Sequence, residues 1–331
     1  MKSIEVVQNS VVEMYMSHPF PQWDHKKRLQ RLPAELCRYR FLGFENDMTG
    51  ARFLDVGCGT GNRSMLAAKH YGVEEFVGLD ATEASLAVAR NVARDEGFTR
   101  FKAVNSSLFE MPFEDNSFDV VVSWGVLHHT ADPLKGLREM VRVCRPGGCV
   151  GIFVYNKFAD WRHNLQKNRI SRIAGDDFEK RFAVAHRLYG TKPLDQMTLE
   201  EKAVFYDQYC HPHKSDHSIG EVLGWLDEVG LEYSGSYPPL RITDTVRCLK
   251  YRAELTDDFP LARPLHRRIF KAIRRLPVAD HATHFKPPTI MHRLFWNTVF
   301  AWQGRSGMYS HGVAVGGRKP AVPPANVEAS E

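Results

Sequence analysis

Between Ala51 and Asn156 the chain alternates short β-prone apolar runs with stretches of helix length, and this rhythm restricts its folds more than any other feature. The runs are "RFLDVG", "EFVGLD", "FKAVNSS", "FDVVVSWG" and "CVGIFVYN"; helical stretches "NRSMLAAKHY", "EASLAVARNVARDEG" and "DPLKGLREMVRVC" lie between them. Strands alternating with helices of this length join as parallel βαβ units. The runs are rich in Val, Phe, Leu and Ile, as strands covered on both faces require. The expected core is an α/β, doubly wound sheet, mostly parallel and seven-stranded once two later strands are added.

The rhythm sets the other boundaries. Residues 1–50 read as one or two helices around "HPFPQW", a lid segment before the core of 51–156. Residues 157–217 read as a helical insertion on the acceptor side. In 218–240 a helix opened by a Ser218–Glu221 capping box and stopped by Gly230 leads into the strand "LEYSGSY". Residues 241–309 form a second, basic and aromatic insertion, 310–320 a last strand, and 321–331 a tail without apolar periodicity, expected to be disordered.

At 331 residues and a net charge of +5, the composition is that of an ordinary soluble domain, and no run approaches a membrane span. The six cysteines form no CxxC pair. They read as reduced packing thiols, so a cytoplasmic protein is expected.

The segment "FLDVGCGTG" places Gly57, Gly59 and Gly61 directly after a strand, with Asp55 before them. Such a turn lets a ligand approach the main chain. A P-loop would need Gly-Lys-Ser/Thr, but Asn62, Arg63 and Ser64 follow. A dinucleotide fingerprint would place its third glycine at Asn62. Asp55 would repel a pyrophosphate yet could hold an ammonium, and Asp80 ends the next strand where an acid can take ribose hydroxyls. A ribose, a cationic amino-acid portion and no phosphate describe S-adenosylmethionine.

The ordered motifs "DVGCGTG", "VGLDAT", "MPFEDNSFDVVVSWGVLHH" and "VRVCRPGG" resemble those of class I S-adenosylmethionine-dependent methyltransferases, in the subgroup acting mostly on small molecules. The resemblance covers residues 52–156, with a weaker continuation through "EVLGWLDEVGL" and "GVAVGGRKP". It implies a Rossmann-like sheet with an antiparallel last strand. It also implies that Asp55, Gly57, Gly59 and Gly61 lie under the methionine portion, Asp80 on the ribose and Ala81 on the adenine. Where the family often has an adenine-binding aspartate, this chain has Ser107, leaving that contact to Ser107 or the Leu108 backbone. Ser123 and Trp124 would line the pocket near the methyl group.

The acceptor is less legible. An amine acceptor needs only its lone pair, whereas a hydroxyl or acidic carbon needs a base. His128 and His129 follow the fourth strand and either face the acceptor or cap the next helix. "FYDQYCHPHKSDHS" gathers Tyr206, Asp207, Tyr209, His211, His213, Asp216 and His217, as an acceptor loop, a surface loop or a metal site. Its spacings match no zinc template, so no metal is expected. His129 and His211 are the candidate bases; Trp124, Tyr155, Asn156 and Tyr206 are the candidate acceptor contacts.

"ARPLHRRIFKAIRRLP" spaces Leu265, Ile269, Phe270 and Ile273 among Arg267, Arg268, Lys271, Arg274 and Arg275, as an ordinary covering helix or a helix for an anionic surface. No nucleic-acid module is recognisable. The expected activity is O- or C-methylation of a small apolar or aromatic metabolite. The alternatives are a methyltransferase for RNA or protein using the basic block, and a cofactor-binding protein without transferase activity.

Overall fold

The computed structural model describes residues 4–44, 48–175, 177–255, 272, 275, 285–306 and 312–321. Its strands are β1 (Arg52–Val56), β2 (Glu75–Asp80), β3 (Phe101–Asn105), β4 (Phe118–Trp124), β5 (Cys144–Tyr155), β6 (Glu232–Tyr237) and β7 (Gly312–Arg318). They form one sheet in the order β3-β2-β1-β4-β5-β7-β6. β1 to β5 run parallel, and β7 lies antiparallel between β5 and β6. The expected seven-stranded, mostly parallel sheet is the one observed. β5 begins earlier than its apolar run suggested, because Cys144 already pairs with Phe118 before a register shift brings Cys149 opposite Val120.

Side chains alternate across the sheet, as the twofold strand repeat demands. Leu54, Val56, Val121, Val150 and Ile152 face one layer; Phe53, Phe76, Val120, Val122 and Trp124 face the other. The first layer is completed by α5 (Pro133–Val143), α9 (Ile219–Glu228) and α11 (Ile290–Ser306), through Leu137, Met140, Val222, Trp296 and Phe300. The second is completed by α2 (His25–Phe41), α3 (Met65–His70) and α4 (Glu83–Asp95), through Leu36, Tyr39, Met65 and Val92. Burying an aromatic such as Phe53 or Phe76 contributes about 2–3 kcal/mol. The pair Arg28–Glu96, at 2.7 Å and nearly fully buried, ties α2 to α4.

Local signals account for several helix ends. Asp132 accepts from the Lys135 amide at the start of α5, and the Ser218–Glu221 capping box opens α9. Gly230, at φ +72°, takes the left-handed turn after α9. Outside the layers lie α1 (Ile4–Ser17), α6 (Trp161–Ala174), α7 (Phe178–Tyr189), α8 (Leu199–Phe205) and α10 (Ile242–Leu255). α8 continues into a wider turn, Tyr206–Cys210. All six cysteines are buried free thiols. Apart from residues 272 and 275, the basic stretch 263–275 lies outside the described residues, as does the tail beyond residue 321. Among the described residues no helix is long and apolar enough to cross a membrane.

Candidate active site

Strand order reverses between β1 and β4, and a cleft opens at the carboxyl edge of a sheet at such a switch point. There a cavity of about 410 Å³ lies under α1. The glycine loop forms its floor. The Gly57 and Cys58 amides donate to the Leu79 carbonyl at 2.7 and 3.0 Å, folding the loop onto the end of β2. Gly57 has φ +72°, and a Cβ there would come within 2.5 Å of Val126 Cγ2. A Cβ on Gly59 would meet the Phe20 carbonyl at 2.5 Å. Gly61 serves differently: it lies outside the cavity lining, and its missing Cβ allows α3 and α4 to approach through Met65 and Ala89.

Asn62 occupies the place of a dinucleotide fingerprint's third glycine and is put to structural use. It donates to the Pro21 carbonyl at 2.9 Å and accepts from Arg28 at 3.1 Å. The loop is thus bound to the "HPFPQW" connection between α1 and α2.

Two carboxylates face the floor. Asp80 Oδ2 accepts from the Gly59 amide at 2.9 Å, while Oδ1 accepts from the Thr82 amide and hydroxyl at 2.9 and 2.7 Å. These bonds orient the carboxylate toward the cavity that Asp80 lines with Ala81. Asp55 is 2% exposed, and its Oδ1 has no hydrogen-bond partner. Burial raises its pKa to about 7. A buried, unsatisfied carboxylate beside a ligand cavity is a ready receptor for a cation. Ser107 and Leu108 line the far end, where Ser107 Oγ accepts from Gln8 of α1 at 3.2 Å.

The other end is aromatic and polar: Tyr15, Trp124, Phe153, Tyr155, His129 and Asp207 line it. Tyr15 donates to Asp207 Oδ1 at 2.8 Å, joining α1 to the turn after α8. Burial raises the pKa of Asp207, opposed by the Tyr15 hydroxyl and the charges of Arg63 and Lys167. His129 Nδ1 lies 3.0 Å from the His213 carbonyl, a bond that places the proton on Nδ1 and leaves Nε2 as acceptor. Burial lowers the His129 pKa to about 3 and holds the ring neutral.

Several expected contacts stand elsewhere. His211 is not in the lining; it stacks behind His129 with ring centroids 3.6 Å apart, and its Nε2 is unpartnered. Tyr206 packs between Phe178 and Phe182 in the insertion's own cluster. Asn156 is fully buried and accepts from the Phe158 and Ala159 amides, so it shapes the turn after β5. Ser123 is fully buried and donates to the Val56 carbonyl at 2.9 Å, bracing β4 on β1. His128 is also fully buried, its ring against Tyr155 and its pKa lowered by burial.

His129, Asp207 and His211 do offer ligand atoms within 4.8 Å of one another. The two rings stack, however, whereas imidazoles sharing an ion radiate from it, and His211 Nδ1 accepts from the His213 amide at 3.3 Å. Sequence reasoning passed over Tyr15 and Arg63 as site residues and did not select Asp207; all three line the cavity. Tyr15 carried a signal in the aromatic lid segment "MYMSHPFPQW" and Asp207 in the histidine-rich run, whereas Arg63 carried none beyond its place after the glycine loop.

The chain is similar to several known proteins. Residues 47–197 match a family model described as a methyltransferase domain. An uncharacterised protein of Synechococcus sp. is 25% identical over 253 residues, covering 69% of this chain and 60% of its own length. The demethylmenaquinone methyltransferase of Bacillus subtilis is 39% identical over 106 residues, 32% of this chain and 46% of the relative. The chain spans about half to three fifths of the length of these curated relatives. A crystal structure of an S-adenosylmethionine-dependent methyltransferase from Mesorhizobium loti aligns over 87% of this chain and 97% of its own, at 15% identity and a TM-score of 0.45.

Proposed function

We propose that the protein is a class I S-adenosylmethionine-dependent methyltransferase, its residues 47–197 matching a methyltransferase-domain model, and that it methylates a small aromatic or apolar acceptor on oxygen or carbon. The observation carrying this reading is one continuous cavity, lined both by the glycine loop, Asp55 and Asp80 and by Tyr15, Trp124, Phe153 and Tyr155. Support for a small acceptor comes also from the relatives named demethylmenaquinone methyltransferase.

The cofactor supplies a sulfonium-bound methyl group, and the residues present suit it. Asp55 takes the ammonium, Arg63 on the same wall suits the carboxylate, and Asp80 takes the ribose hydroxyls. α1 covers the cleft and keeps water from the reacting atoms, held by the Gln8–Ser107 and Tyr15–Asp207 bonds. The aromatic walls align the acceptor for in-line displacement.

An oxygen or carbon acceptor would have to give up a proton to be methylated. His129 Nε2 and the Asp207 carboxylate are the acceptors of that proton within the cavity wall. Burial pushes the Asp207 carboxyl up and the His129 imidazole down, which favours Asp207 as the base. His211 acts at most through His129. The test is calorimetry with S-adenosylmethionine and S-adenosylhomocysteine, followed by a labelled-methyl screen of phenolic, quinol and carboxylate acceptors. Absence of cofactor binding would overturn the reading; binding with transfer only to RNA or protein would overturn the small-acceptor part.

A further inference from the structure

α11 is apolar on two sides. Trp296 and Phe300 are buried in the core, while Ile290, Met291, Leu294, Phe295 and Trp302 are each at least half exposed. At 100° per residue the exposed five fall within one arc of about 140°, so they form a stripe rather than a scatter. α6 lies alongside, with the Trp161 indole donating to the Ala301 carbonyl at 3.4 Å. Its outer side exposes Trp161, Leu165 and Ile173. Single exposed apolar residues are ordinary, but a clustered set on adjoining helices marks a docking surface.

The charges beside these residues identify the partner. Neither α6 nor α11 contains an aspartate or glutamate. α6 carries exposed Arg162, Arg169 and Arg172 among its apolar residues, and α11 carries Arg293. In sequence, the stretch leading to α11 holds Arg263, Arg267, Arg268, Lys271, Arg274 and Arg275 against three aspartates, Asp257, Asp258 and Asp280. Basic residues interleaved with Trp, Phe and Leu suit the boundary of an anionic bilayer, where the apolar side chains enter the acyl region and the arginines meet headgroup phosphates. A nucleic acid would use the arginines but leave the aliphatic side chains in water. A second copy would bring like charge against like.

We propose that the exposed sides of α6 and α11 dock the protein on the surface of an anionic lipid bilayer. The inner side of α6 meets the turn that supplies Asp207: His163 Nε2 lies 2.6 Å from the Gln208 carbonyl, and Lys167 donates to the His211 carbonyl at 3.4 Å. Docking therefore sets the acceptor end of the cavity close to the lipid surface, a position suited to an acceptor that partitions into membranes. The docking surface itself rests only on the two helices and stands independently of the transferase reading.

The test is co-sedimentation of the full chain with vesicles of phosphatidylcholine, alone or mixed equally with phosphatidylglycerol. Binding to the mixed vesicles should exceed binding to the neutral ones by about tenfold or more and weaken with added salt. Arg169→Glu with Arg172→Glu should weaken it by at least about fivefold for each arginine. Leu294→Glu with Phe295→Glu should abolish it, while the circular dichroism spectrum and thermal melt of the variant match the wild type and certify the fold. The proposal would be overturned by no binding of the wild type to anionic vesicles, by both variants binding as the wild type does, or by a vesicle-free dimer that the Leu294→Glu, Phe295→Glu variant dissociates. Retention on polyuridine in place of vesicles would likewise assign the surface to nucleic acid.

Discussion

Lowering the pH from 7 to 6 should weaken S-adenosylmethionine binding in a way traceable to Asp55. In the free protein burial places this carboxyl near pH 7, and its Oδ1 lacks a partner. An ammonium seated against it favours the ionised form and lowers the pKa in the complex. Binding strength is therefore fully present above the free-state value and is lost as pH falls through about 7 toward the bound-state value. With a free-state pKa of about 7, the ionised fraction drops from about one half at pH 7 to about one tenth at pH 6, so affinity falls about fivefold, and nearly tenfold for each further unit. The cofactor amine, with an ordinary value near 8, remains protonated across this window. Calorimetry in buffers of different ionisation enthalpy provides a second reading: binding should release about half a proton at pH 7 and about 0.9 at pH 6. Methylthioadenosine, which lacks the ammonium, should bind without this dependence, and Asp55→Asn should remove it. Flat affinity for S-adenosylmethionine from pH 7 to 6, without proton release, would refute the assignment of Asp55 to the ammonium.

Gly57→Val should abolish measurable cofactor affinity, because its Cβ would lie 2.5 Å from Val126 Cγ2 at φ +72°; calorimetry alongside a thermal melt separates lost binding from lost fold. Arg28→Ala should cost about 3 kcal/mol in denaturant unfolding, the low end for breaking a buried ion pair, because His25 still contacts Glu96 at 2.8 Å. Tyr15→Phe should cost about 2 kcal/mol by the same measurement, because the Asp207 carboxylate loses its hydroxyl donor. In that variant the acid limb of the kcat/KM profile should move, if Asp207 is the base. An unmoved profile would return the role to His129.

The extent to which the site was legible depended on distance along the chain. The proposed cofactor site is built from neighbours: Gly57 and Gly59 take positive φ, Asp55 precedes them, and Asp80 ends the adjacent strand. Strand alternation, the Ser218–Glu221 cap and the glycine stop are local too, so periodicity and spacing suffice to read them. The acceptor end is built from residues far apart. Tyr15 and Asp207 meet across 192 positions, and no spacing rule connects them. Asn156 and Tyr206 were misjudged for the same reason: each lies beside the site in sequence, but the turn after β5 turns one inward and an aromatic cluster with Phe178 and Phe182 takes the other. His129 and His211 stack on one another, and only packing decides that one lines the cavity and the other stands behind it. The sequence by itself determined the sheet and the glycine loop, because short-range backbone geometry governs both. The tertiary structure alone decided the acceptor wall and the two-sided apolar helix α11, because burial is set by which distant surfaces meet.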